Sequence, residues 1–365
     1  METQQLKSKS GADLAVDIAK LVAEVKKSIS FSELSGKTIA IDAYNTIYQF
    51  LSIIRQPDGT PLTDSKNRVT SHLSGLFYRT ISLIESDIKP VFVFDGIPSI
   101  LKQRTIEARV KRRTEALEAW SKAKEEGLIE SARTHAMAST RITKEIVESS
   151  KKLLEYMGVP YLQAPGEGEA QGAVMTKNNL VYASASQDYD SFLFGAINVV
   201  RNLTVTGRRK LPMKNVYITV EPELARTSEL LEHFELTQRQ LIMMGALIGT
   251  DFNTGVEKVG PKTALKIVKE YTTPKALEEY LIKKYNATLD VPLQDILDVF
   301  EKPDVKELSI DEFDSIVKKF RPDKEKILSL MCNEHEFSLE RIENGVKKLL
   351  DSRNMGNQKG INSWM

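Results

Sequence analysis

The chain is short of several residue types on which common functional devices depend. It has one cysteine, Cys332, which excludes an internal disulfide and a cysteine-based zinc site and reads as a small core hydrophobe. Its four histidines are scattered without ligand spacing. No apolar run approaches the ~20 residues of a membrane span. The opening segment METQQLKSKS lacks the hydrophobic stretch of a secretion signal, so the expectation is a soluble protein that stays inside the cell. Net charge is only +1, which by itself argues against a generic nucleic-acid binder. No repeat or low-complexity segment stands out. With 41% hydrophobic residues over 365 positions, the chain can bury a full core as one large domain or two.

Against these absences stand seven acidic residues where strands or a helix should end. Asp42 closes the apolar run TIAID and Asp95 closes VFVFD, which places both at the carboxyl edge of buried parallel strands. Glu167 and Glu169 lie in the Gly-broken GEGEA that follows the strand-like VPYLQAP. Asp188 and Asp190 follow LVYASAS, a third buried strand, and Asp251 follows the apolar helix LIMMGALIGT. A lone Asp after a strand is most often a helix N-cap or turn former. Seven together in one cleft repel one another unless cations intervene. Oxygen ligands without Cys or His favour Mg²⁺ or Mn²⁺, and two ions ~3.5–4 Å apart suit phosphodiester hydrolysis.

Positive charge is concentrated locally. Residues 102–113 (KQRTIEARVKRR) hold six basic residues against one acid, and residues 201–214 hold five against none. On a helix Lys102, Arg109 and Arg113 share a face, interrupted by Ile106. The organisation reads as an α/β core interrupted by a long helical segment. A helix runs from TIAID through Tyr48, a turn-rich loop RQPDGTPLTDS follows, and a second helix spans 70–86. Residues 99–157, nearly free of Gly and Pro, predict two long charged helices joined near GLIESA. The sheet resumes through INVVRNLTV, and RRKLP with NVYITV resembles a hairpin. AKLVAEVKKSIS reads as an amphipathic helix. Beyond Asp251, GVEKVGPKTALKIVKEY places Gly255 and Gly260 before a helix begun by Pro261. Its Lys262, Lys266 and Lys269 can flank a phosphate backbone. The C-terminal Gln358, Ile361, Trp364 and Met365 end a polar tail in apolar side chains, a partner-binding signal.

The segments AIDAYNTIYQFL, TSHLSGLFYRT, KPVFVFDG, APGEGEAQ, YASASQDYDSFLFG, RNLT, GTD and VGPK occur in that order between about residues 37 and 270. Together they resemble the flap endonucleases, the structure-specific 5′ nucleases of DNA replication and repair, most closely in their archaeal form. The resemblance implies a PIN-like 5′ nuclease fold: α/β, with a central, mostly parallel sheet, helices on both faces, a helical arch and a helix-hairpin-helix element. It implies one metal site at Asp42, Asp95, Glu167 and Glu169 and a second at Asp188, Asp190 and Asp251, filled by two Mg²⁺ with Mn²⁺ as a substitute. Lys102 and Arg109 match basic residues that act on the scissile phosphate, and Tyr48 the aromatic on which the neighbouring base stacks. Arg55, Arg79, Gly249, Gly255, Gly260 and Lys262 match DNA contacts, with Glu167 and Asp251 also facing DNA, and a potassium ion belongs at the hairpin. Residues 99–140 become an arch threaded by the 5′ flap. Gln358, Ile361, Trp364 and Met365 match the box that binds the sliding clamp (PCNA), with Met365 in place of a final aromatic.

The implied layout is an N-terminal nuclease region to 113, an arch connection at 114–130, and an internal nuclease region at 131–273 with the hairpin at 255–270. A helical region at 274–350 and a clamp-binding tail at 357–365 complete it. The expected protein is a cytoplasmic, nucleoid-associated monomer that cuts branched DNA with a 5′ flap and has 5′–3′ exonuclease activity. The alternatives are a related 5′ nuclease for bubbles, nicks or RNA–DNA hybrids, and a non-catalytic clamp-tethered junction binder. Besides Met365, the chain departs from the family pattern at Lys258, where relatives have a middle hairpin glycine, and in the extension ahead of Gly11, followed by AKLVAEVKKSIS as a longer helix than the family's short connection.

Overall fold

The computed structural model describes residues 18–205, 208–210 and 217–362. Its strands are β1 (Lys27–Ser28), β2 (Thr38–Asp42), β3 (Lys89–Phe94), β4 (Tyr161–Gln163), β5 (Ala183–Ala185), β6 (Asn198–Arg201), β7 (Arg208–Lys210), β8 (Tyr217–Thr219) and β9 (Glu223–Arg226). Seven of them form one sheet in the order β1-β9-β6-β5-β2-β3-β4, and β7 with β8 forms the expected antiparallel hairpin. The run from β6 to β4 is parallel throughout, while β9 and β1 add antiparallel strands at one edge. The apolar runs of β2 and β3 dictate this arrangement. Ile39, Ala40, Ile41 and Val91 to Phe94 are all buried, as strands covered by helices on both faces require.

The chain moves from β2 outward to β3 and β4, then returns to the other side of β2 for β5 and β6. Connections therefore diverge at the β2–β5 boundary, where the carboxyl ends of parallel strands leave a crevice. On one face, helices Ala43–Ile53, Ser71–Glu85, Lys144–Tyr156 and the start of Leu339–Asn362 bury Ile47, Phe77, Leu153 and Val346. On the other, Gln238–Ile248, Pro261–Glu270 and Leu293–Glu301 bury Met243, Ile267 and Phe300.

Between β3 and β4 the charged segment forms three helices rather than two: Gln103–Glu125, Ile129–Ala138 and Lys144–Tyr156. The first two make a helical hairpin that turns at Gly127, whose φ is +71°. The chain breaks again because the Thr143 side chain caps a new helix through the Ile146 N–H at 3.4 Å. That helix turns Ile146, Val147, Leu153 and Leu154 into the core. The expected 19–30 helix stops at Val25, since Lys27 leaves it to pair with Leu224 of β9. The helix Leu339–Asn362 runs through Gln358 and Ile361, so the expected tail is helical up to that point; Trp364, Met365 and Gly11 lie outside the described residues. Cys332 is half-buried. No helix among the described residues is long and apolar enough to cross a membrane.

Candidate active site

The seven acids reach one cleft from five connections. Asp42, the last residue of β2, caps helix Ala43–Ile53 by accepting the Asn45 N–H at 2.9 Å. Capping and site roles thus coexist in one carboxylate. Asp95 follows β3 and accepts the N–H of Gly168 at 2.7 Å, at the start of helix Gly168–Lys177. This contact accounts for the second glycine of GEGEA, because a Cβ at 168 would stand 2.6 Å from Asp95 Oδ1. Glu167 and Glu169 flank that glycine. Glu169 Oε1 accepts from Ser186 Oγ at 2.5 Å and from Ser191 Oγ at 3.3 Å. Asp188 accepts from Asn45 Nδ2 at 3.3 Å, and its own N–H donates to Ser186 Oγ at 3.1 Å. Asp190 opens the short helix Asp190–Leu193. Asp251 sits in a tight turn where the Thr250 N–H reaches the Asn253 carbonyl at 3.0 Å and Asn253 Nδ2 reaches the Ala246 carbonyl at 2.7 Å. From the arch, Thr105 Oγ1 donates to the Asp251 carbonyl at 2.7 Å.

Asn45, Ser186 and Thr105 were not singled out from sequence. Asn45 carried a signal, standing three residues after a strand-ending Asp, where a cap finds its N–H. Ser186, two residues before Asp188, ties the Glu169 carboxylate to the Asp188 backbone through one hydroxyl, which donates to Glu169 Oε1 and accepts the Asp188 N–H.

The acids raise one another's pKa values. Loss of water is the first cause for Asp42, Asp95, Glu169, Asp188 and Asp190. Neighbouring negative charge adds to it: Asp95 acts on Asp42, Glu167 on Asp95, Asp188 on Glu169, and Asp251 on both Asp188 and Asp190. The result is about 6 for Asp95 and about 7 for Asp190. Two cations from the base of the arch oppose this. Lys102 Nζ pairs with Glu167, lies 3.2 Å from Asp251 Oδ2 and sits 5.0 Å from the Phe252 ring centroid. Burial would lower the Lys102 pKa, but the charges of Asp251, Glu167 and Asp190 outweigh it and hold the ammonium strongly protonated. Arg109 Nη2 meets Asp251 Oδ1 at 2.6 Å.

Seven carboxylates against two cations leave negative charge unmatched, and Asp190 Oδ1 is buried without a hydrogen-bond partner. An all-oxygen donor set with an orphaned oxygen fits hard divalent cations. Among the described residues no three ligating side chains close on one point tightly enough to hold an ion as they stand. Lys102 and Arg109 already place positive charge among them.

The remaining candidates divide. Tyr48 is half-buried, with the Arg113 guanidinium 5.9 Å from its ring centroid. Arg55 donates to the Leu51 and Gly59 carbonyls and to Thr140 Oγ1, each at 2.7 Å. Arg79 is buried, donates to the Leu203 carbonyl and to that of Val205 at 3.0 Å, and covers the Phe31 ring. Both guanidinium groups thus serve the protein's own loops, and neither is brought into the carboxylate cleft. Gly249 (φ +109°) and Gly255 (φ +75°) close the turn around Asp251, where a Cβ at 255 would lie 2.5 Å from the Ile248 carbonyl oxygen. Gly260 caps helix Pro261–Glu270, and Lys262, Lys266 and Lys269 are exposed on it.

The chain matches the XPG N-terminal domain over residues 4–116 and the XPG I-region over residues 158–251. It is 50% identical over 340 residues to flap endonuclease 1 of Pyrococcus furiosus, covering 93% of this chain and 96% of that protein. Flap endonuclease 1 of Saccharolobus solfataricus is 46% identical over 359 residues, covering 96% and 100%. The solved structure of flap endonuclease-1 from Methanococcus jannaschii superposes with a TM-score of 0.69 at 35% identity, covering 92% of this chain and 98% of that one. The catalytic core of Rad2 in complex with DNA substrate shares the fold at a TM-score of 0.67 and 23% identity, covering 92% and 99%. A near full-length relationship of this strength, with seven acids converging at the carboxyl edge of the same sheet, places the chain in the flap endonuclease family.

Proposed function

We propose that the protein is a metal-dependent, structure-specific nuclease that hydrolyses DNA phosphodiester bonds at 5′ flap junctions, with 5′–3′ exonuclease activity, in replication and repair. The observation that carries the reading is the acid cleft beneath the helical hairpin, bridged by Lys102 and Arg109. In this reading Asp42, Asp95, Glu167 and Glu169 would hold one Mg²⁺ and Asp188, Asp190 and Asp251 a second, with Mn²⁺ as a substitute. Such ions supply Lewis-acid chemistry, polarising water and phosphoryl oxygens. The chain's own groups do the rest. Lys102 and Arg109, which pair with Glu167 and Asp251, stand where they would face the charge that builds on a phosphate held in the cleft. Asn45, Ser186 and the Gly168 N–H hold the carboxylates in position meanwhile. Tyr48 offers a ring face to a base beside the cut.

Branched DNA enters with its single strand at the arch and its duplex toward Gly255, Gly260 and Lys262, the hairpin at which the family resemblance implies a potassium ion. Arg55 and Arg79 act by shaping the loops around it. The protein works as a monomer on the nucleoid, with regions divided near residues 113, 130, 273 and 350. Gln358, Ile361, Trp364 and Met365 engage a sliding clamp. Removing residues 358–365 is expected to abolish clamp association in a pull-down while leaving clamp-free cleavage near wild type. The central test is cleavage of end-labelled 5′-flap, 3′-flap and plain duplex DNA in Mg²⁺, with EDTA and Asp188→Ala as controls. Cutting confined to the 5′-flap junction, lost in both controls while Asp188→Ala still binds the flap, supports the reading. Flap binding by the wild type without cutting in either Mg²⁺ or Mn²⁺ overturns it.

A further inference from the structure

Two isoleucines that nothing inside the molecule covers stand in the loop between Asp95 and Lys102. Ile97 is 83% and Ile100 82% exposed, more than any other large hydrophobic side chain among the described residues. Single exposed apolar residues are ordinary on protein surfaces. These two differ in standing three residues apart on one hydrogen-bonded connection that joins two side chains of the cleft, Asp95 and Lys102. The Gly96 N–H donates to the Gly166 carbonyl at 2.7 Å and the Ile97 N–H to the Pro165 carbonyl at 2.8 Å. A Cβ at position 96 would stand 2.0 Å from the Pro165 carbonyl oxygen, so the backbone is pressed against the loop that carries Glu167. Ser99 then caps the turn Ile100–Lys102, accepting the Leu101 N–H on Oγ at 3.3 Å and the Lys102 N–H on its carbonyl at 2.9 Å. Ile100 also walls a cavity of about 360 Å³ shared with Phe252, Arg104, Asp290 and Val291.

We propose that Ile97 and Ile100 form a contact for the face of an unpaired nucleobase next to the phosphate to be cut. This inference rests on the nuclease reading above and adds a binding surface to it. Each isoleucine is two residues from a cleft side chain, so its Cα lies within about 7.6 Å of the Cα of Asp95 or Lys102. A phosphate held between those two residues brings its own neighbouring nucleotide to the isoleucines. Phosphate and sugar offer charge and oxygen atoms, to which isoleucine gives nothing in return. In a duplex the base faces are hidden in the stack, so apolar surface for these side chains comes from a base that has left it. Covering that base removes apolar area from water on both partners without reading its identity. The contact therefore acts on which phosphate enters the cleft.

The test compares the full chain with its Ile97→Ser/Ile100→Ser double variant on an end-labelled 5′ flap. A second substrate carries 2-aminopurine beside the scissile phosphate, whose fluorescence reports unstacking. Both positions are exposed, so matching melting temperatures are expected. The double variant should show a KM about tenfold higher, cut positions spread to the adjacent phosphates and a weaker 2-aminopurine signal. The Ile97→Leu/Ile100→Leu variant should restore all three. Wild-type KM, cut position and fluorescence in the serine variant would overturn the contact while leaving the nuclease reading intact. A wild-type protein that cuts no flap would take both down.

Discussion

Lys102 is the side chain at which the arch meets the sheet. It leaves the start of the first arch helix, pairs with Glu167 beyond β4 and approaches Asp251 beyond the 238–248 helix. Its positive charge is secure because three carboxylates outweigh the burial that opposes it. Replacing it with Ala should lower single-turnover cleavage about 10²- to 10³-fold, the usual effect of removing one preorganised electrostatic partner of a transition state. Flap affinity should change only a few-fold, since residues 102–113 carry five further basic side chains. A Lys102→Ala enzyme that cuts at the wild-type rate would remove this residue from the chemistry. Gly168 makes a sharper test, because it carries no functional group at all. A methyl at that position meets Asp95 Oδ1 at 2.6 Å. Gly168→Ala should therefore displace the Asp95 carboxylate and depress cleavage in Mg²⁺ while the protein remains folded by circular dichroism. Undiminished cleavage would mean that Asp95 tolerates being moved.

Strand-to-loop transitions were the part of the architecture most open to sequence reasoning. Runs such as TIAID and KPVFVF are apolar on both faces only because helices cover both sides of a parallel sheet, so an acid at their carboxyl end has a determined place. The inward roles of Arg55 and Arg79 were hidden, since their partners are carbonyls brought close by tertiary folding from Gly59 and from Leu203 and Val205. The third helix of the 99–157 segment was missed because charge density masked the apolar face of Ile146, Val147, Leu153 and Leu154. At the Gly255–Gly260 turn the sequence departure has a measurable meaning. Lys258 stands at φ +66°, in the left-handed region. A side chain there costs about 1–2 kcal/mol, partly offset by the greater freedom that glycine has in the unfolded chain, about 0.5–1 kcal/mol. Lys258→Gly should thus stabilise the protein by at most about 1.5 kcal/mol, a rise of about 2 °C or less in melting temperature. A lowered melting temperature would show that the lysine side chain makes a compensating contact.

For the molecule as a whole, the acid cleft ties stability to pH and to divalent cations. A carboxyl group whose pKa is higher in the folded than in the unfolded chain holds its proton better when folded. The stability it contributes is complete below the unfolded value, near 4, and is lost as pH rises through the folded one. Asp95, at about 6, and Asp190, at about 7, set that window. Asp58 behaves oppositely, held near 2 by Thr60 and Lys124, and its effect is confined to acid conditions below the window. Without divalent cations the protein should therefore be less stable at pH 8 than at pH 5.5. Cations bind the deprotonated acids, so the melting-temperature gain from Mg²⁺ should be larger at pH 8 than at pH 5.5. Asp190→Asn removes one of the charges that burial penalises and one of the expected ligands. It should flatten the pH dependence of the EDTA-treated protein and shrink the Mg²⁺ gain together. Thermal melts of both proteins at the two pH values, with EDTA and with Mg²⁺, separate these effects. An equal Mg²⁺ gain at both pH values, or an EDTA-treated wild type more stable at pH 8, would mean that the carboxylates do not share their charge in the way their geometry requires.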